Sequence, residues 1–90
     1  MASDHPAFWR RFPGLAWSNP DADDSVRIRA ALVRPRFDRL LEIALEFGLP
    51  RLRSEWEFLR GQPTPEVLRA DKIVERILHN IEEGFQSAAA

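Results

Sequence analysis

Ninety residues with no cysteine, twelve arginines, one lysine and a net charge of −1 exclude several classes at once. So short a chain makes one domain. It lacks the thiols of a disulfide framework or thiolate zinc site and carries no strong global field to draw in nucleic acid. The 44% hydrophobic and 30% charged residues fit a folded protein rather than a disordered one.

The chain opens with Met1-Ala2-Ser3-Asp4-His5, which lacks the charged and apolar regions of a signal peptide. No apolar run approaches the roughly 20 residues of a membrane span. A cytoplasmic location is therefore expected. Residues 5–12, HPAFWRRF, have room for one or two helical turns before Pro13-Gly14, and residues 13–24 are rich in turn formers and aspartate. This arm carries Phe8, Trp9, Phe12 and Trp17, more aromatic surface than water accommodates well.

A first clear helix is predicted over 24–33, capped by Asp24 or Ser25. Its apolar residues Val26, Ile28, Ala30, Ala31, Leu32 and Val33 lie on more than one side, which predicts two buried contacts. Pro35 pushes Arg34 out of helical geometry. A second helix is predicted over 35–47, with Phe37, Leu40, Leu41, Ala44 and Phe47 on one stripe and Gly48 as its C-terminal cap.

A third helix is predicted over 50–60, with Pro50 at its first position and Leu52, Trp56 and Leu59 facing inward. Phe58 lies roughly 160° from Trp56 around that helix and must meet something else. The fourth starts at Thr64-Pro65, buries Val67, Ala70, Val74, Ile77, Leu78 and Ile81, and ends near Gly84. The pattern predicts an all-α chain: an aromatic-rich arm and loop over 1–23, a small bundle of about four helices over 24–85, and a disordered tail over 86–90.

Chemistry-bearing residues are sparse. His79 follows Glu75 by four residues, but the helical phase places it opposite the apolar stripe, where an exposed histidine among carboxylates reads as a solvated face. His5 has no partner in sequence. Asp21, Asp23 and Asp24 do not start a calcium loop, because Val26 and Leu32 occupy its sixth and twelfth positions. No metal, cofactor or catalytic residue is expected.

The residues that point to binding are Arg27, Arg29, Arg34, Arg36 and Arg39, with Trp9 and Phe12 on the arm and Phe58 off its stripe. No acid lies between Ser25 and Phe37, so the five arginines have three outlets: nearby Glu42, Glu46, Glu55 and Glu57, an acidic protein, or phosphates. A helix-turn-helix reading of the second and third helices fits by spacing, but RLRSEWEFLRG has two glutamates and two large aromatics where a recognition helix would meet DNA. Trp9 and Phe12 either complete the core or anchor a partner.

The stretches HPAFWRRFPG, RIRAALVRPRFDRLLEIALEFGLPRLRSEWEFLR and RADKIVERILHNIEEGF resemble small bacterial proteins encoded just upstream of abortive-infection-type nucleotidyltransferases. The likeness covers most of residues 5–85, and its motifs are helix stripes and turns. Such pairs look like toxin–antitoxin modules, with the small protein as antitoxin. The resemblance implies a non-catalytic protein that binds and neutralises a nucleotidyltransferase-like enzyme. A small DNA-binding regulator using the Arg27–Arg39 cluster is the alternative, and a homodimer is compatible with either.

Overall fold

A computed structural model describes residues 5–11 and 23–89. Five helices follow in order: α1 (Pro6–Trp9), α2 (Asp24–Val33), α3 (Phe37–Phe47), α4 (Leu49–Arg60) and α5 (Pro65–Ala89). No strand occurs among the described residues, so the chain is an all-α bundle of four helices with a short helical arm.

The boundaries follow local chemistry. Asp23 rather than Asp24 or Ser25 caps α2, its carboxylate accepting from the Val26 N–H at 3.0 Å. That frees Asp24 and Ser25 for contacts with other elements. Gly48 joins α3 to α4 with φ +91°, a backbone that side-chain-bearing residues rarely adopt. Its N–H closes α3 on the Ala44 carbonyl at 2.8 Å. Thr64 caps α5 through the Val67 N–H at 3.3 Å.

Three predicted ends shift, the smallest being the third helix, which begins at Leu49 and so puts Pro50 at its second position. The second helix begins at Phe37, two residues after Pro35. The fourth does not stop at Gly84 but continues to Ala89, taking in most of the stretch expected as a tail.

The core joins all four long helices. Ile28, Leu32, Leu40, Ile43, Leu52, Val74 and Leu78 are fully buried, and Trp56 lies among them. The Trp56 indole N–H donates to Glu75 on α5 at 2.9 Å, so the largest core side chain is also satisfied as a donor. All six residues assigned to the α5 stripe are buried.

On α3 the buried face is rotated from the expected one. Ile43 is buried, Leu41 is half-buried, and Phe37 is 47% exposed. Leu59 on α4 is also half-buried. Most of the two-sided apolar character of α2 is met within the chain, since α2 packs against α3, α4 and α5, but Val26 stays 41% exposed.

The arm closes one side of this core. Phe8 and Trp9 are buried, and both rings lie 5.6 Å from Phe47, Phe8 edge-on and Trp9 stacked. Polar contacts among the described residues hold the arm, including the Trp9 indole N–H to Asp24 at 2.8 Å, His5 Nδ1 to Glu46 at 2.7 Å, and Arg11 to Glu42 at 2.8 Å. His5, without a partner in sequence, therefore has one in space.

Candidate interaction surface

The fold scatters the nominated binding residues. Trp9, expected among residues the bundle leaves uncovered, is 4% exposed and belongs to the core. Its indole has an internal acceptor and its ring an internal stack, so it offers little to a partner. Phe12 lies outside the described residues, as does Trp17 of the same arm. The Arg27 guanidinium lies over the Trp9 ring at 5.9 Å. Arg36 reaches Asp38 at 3.5 Å, and Arg39 is half-buried. Phe58 is 46% exposed, with one ring face covered by Arg29 at 3.8 Å. That contact is its missing neighbour, a cation–π pair worth about 0.5–1 kcal/mol at such a site.

Arg29 also belongs to a tighter constellation. Glu55 is 5% exposed, a buried charged residue at the edge of the core. Its Oε1 accepts from Arg29 at 2.9 Å, and its Oε2 accepts from Arg51 at 3.0 Å and from the Ser25 hydroxyl. Arg51 in turn donates to the Ser25 oxygen at 2.9 Å. Burial pushes the Glu55 carboxyl up. The hydrogen bonds from Ser25, Arg51 and Arg29, with the Arg29 charge, outweigh it and hold the pKa below the ordinary value. A carboxylate held this way is a poor proton donor near neutrality and a strong tie between α2 and α4.

The remaining charges of α4 are also engaged. Arg53 pairs with Glu82 on α5, and Arg60 reaches Glu57, Asp71 and Glu75. The guanidinium groups that a DNA-reading α4 would present to phosphates already have acidic neighbours.

Between α2 and α5 the surface is different. A groove of about 300 Å³ is lined by Val33, Arg34 and Pro35 at the end of α2 and by Glu66, Arg69, Ala70 and Ile73 on α5. Arg34 and Arg69 make no ion pair among the described residues, and both are exposed. Ile73 in the same groove is 51% exposed. Two residues beyond Pro35, Phe37 begins α3 with half its surface in water. Leu45 on α3 at 63% and Leu68 on α5 at 67% are exposed as well.

Of the five clustered arginines, Arg34 lines this groove. Sequence reasoning missed its companions Arg69 and Ile73. A signal was present: Ile73 is large and apolar yet falls off the α5 stripe, and Arg69 lies four residues before it on one helical face.

His79 is exposed and pairs with Glu83 at 3.1 Å. Among the described residues no group of three His, Asp or Glu side chains converges as metal ligands would. No helix among them is long and apolar enough to cross a membrane. No protein-family model matches the chain, and neither a curated protein nor a solved structure matches it.

Proposed function

We propose that this chain is a non-catalytic protein-binding module of the cytoplasm, and that it acts as an antitoxin neutralising a nucleotidyltransferase-like toxin. The observation that carries the binding reading is that Phe37, Leu45, Leu68 and Ile73 stay 47–67% exposed. Large exposed apolar side chains serve as anchors at interaction surfaces, and arginines suit the rim of such a surface. A standard interface takes about 800 Å² from each partner, roughly a seventh of the 5891 Å² surface of this chain.

The identity of the partner rests on the resemblance of residues 5–85. The alternative, a DNA-binding regulator using the Arg27–Arg39 cluster, has less in its favour, because Arg29 pairs with Glu55 and Arg36 with Asp38 within the chain.

The test is co-expression with the product of the gene immediately downstream. The proposal expects a complex that survives purification and suppresses growth arrest by that product. A downstream product that is not nucleotidyltransferase-like, or one that does not associate, refutes the antitoxin reading.

A further inference from the structure

The α2–α5 groove has a mixed lining that narrows what it can hold. We infer that it is the docking site for an acidic, amphipathic segment of a partner protein, seating one carboxylate between Arg34 and Arg69 and an apolar side chain on Val33, Pro35 and Ile73. This rests on the protein-binding reading above and names the chemistry of the partner at one site.

Charge complementarity supports this occupant. Arg34 and Arg69 both line the groove and neither has an acid of its own among the described residues, whereas Arg29, Arg51, Arg53 and Arg60 all do. A guanidinium presents a planar fork of donors that a carboxylate meets with two hydrogen bonds.

The apolar half of the lining supports the second element. Ile73 is half-exposed, Val33 is half-buried, and the Pro35 ring adds a surface without a backbone donor. An apolar side chain seated there removes Ile73 from water, which a bare anion does not do. A volume of about 300 Å³ admits one or two side chains, the scale of a helix face laid across a groove rather than of a domain.

Glu66 argues against a phosphate backbone. It lines the same groove and would repel a closely spaced run of phosphates more than a single carboxylate held by two arginines. Glu66 is also placed to accept from a donor on a peptide.

Titrations of the whole chain with three probes test this, followed by NMR at the Ile73 methyl and the Arg34 and Arg69 Nε–H groups. The first probe is a short helical peptide with Leu and Glu alternating at four-residue spacing. The second is the same peptide with Glu replaced by Gln. The third is a single-stranded DNA oligonucleotide of similar length.

The expected result is that the Leu/Glu peptide shifts all three groups together and binds about tenfold or more tightly than the Gln peptide. R34A and R69A, both at exposed positions, should keep the wild-type fold and each lose about that factor. Equal binding of the two peptides, no binding of either, or tighter DNA binding that depends on Arg34 and Arg69 overturns the inference. The same variants in the co-expression assay separate the two claims. A complex indifferent to R34A and R69A overturns the groove assignment and leaves the protein-binding reading standing. Peptide binding at the groove without a downstream complex supports the groove and removes the antitoxin partner.

Discussion

Replacing Glu55 with alanine tests the polar architecture most sharply, because that one carboxylate ties α2 to α4. The substitution removes the acceptor of three hydrogen bonds, from Arg29, Arg51 and Ser25. Hydrogen bonds to charged groups contribute about 1.5–3 kcal/mol each when buried, and a buried ion left alone costs more. Here the discount is large, since the Arg29 and Arg51 side chains are 32% and 40% exposed and can turn to water. The net loss is then about 2–3 kcal/mol, which lowers the melting temperature of so small a domain by about 10–20 °C. Thermal denaturation followed by circular dichroism reads this.

The same carboxylate has a pH signature. Its folded pKa lies below the ordinary 4.5, so the folded state binds fewer protons than the unfolded one. Its contribution is complete above that ordinary value and is lost as pH falls through the lowered one. The gap in stability between wild type and Glu55→Gln should therefore be constant near neutrality and close on acidification below 4.5. A Glu55→Ala variant that melts with the wild type, or a gap that does not close in acid, refutes the reasoning.

Other substitutions probe the packing. Gly84 lies inside α5 with open space where a Cβ would stand, so Gly84→Ala should stabilise the chain by about 0.5–1 kcal/mol in urea denaturation. Ile43→Ala should cost about 2–5 kcal/mol, whereas Leu45→Ala, two residues on but 63% exposed, should stay within about 0.5 kcal/mol. Trp9→Ala should cost about 3–5 kcal/mol, since it empties a core position and leaves Asp24 without its indole donor.

How far the fold was legible differs by helix. On α5 the six residues read as its stripe, from Val67 to Ile81, are all buried, while Leu68 and Ile73 lie off it and are exposed. On α3, seven of eleven residues are apolar, so two overlapping stripes fit the same 3.6-residue period. Sequence cannot choose between a face centred on Phe37 and Leu41 and one centred on Ile43. Neighbours choose, because the arm lays Phe8 and Trp9 on Phe47, His5 on Glu46 and Arg11 on Glu42.

The arm was ambiguous for the same reason: Trp9 suits a core or a partner equally until Asp24 and Phe47 are seen beside it. The arginine cluster was visible as composition but not as a site. Arg27, Arg29 and Arg34 are close in sequence, yet they end over Trp9, on Glu55 and in the α5 groove respectively. Arg34 and Arg69 are 35 positions apart, and a pairing of that separation is set by the topology alone.

Isothermal titration calorimetry of the purified chain with the purified product of the adjacent downstream gene tests the central claim most directly. Two folded proteins joined by an interface near 800 Å² a side should give a saturable heat with dissociation at or below about a micromolar. The account predicts that binding at physiological salt, together with its weakening in R34A and R69A. A folded chain that gives no heat with that product at tens of micromolar, while binding an operator-bearing DNA duplex, would contradict it.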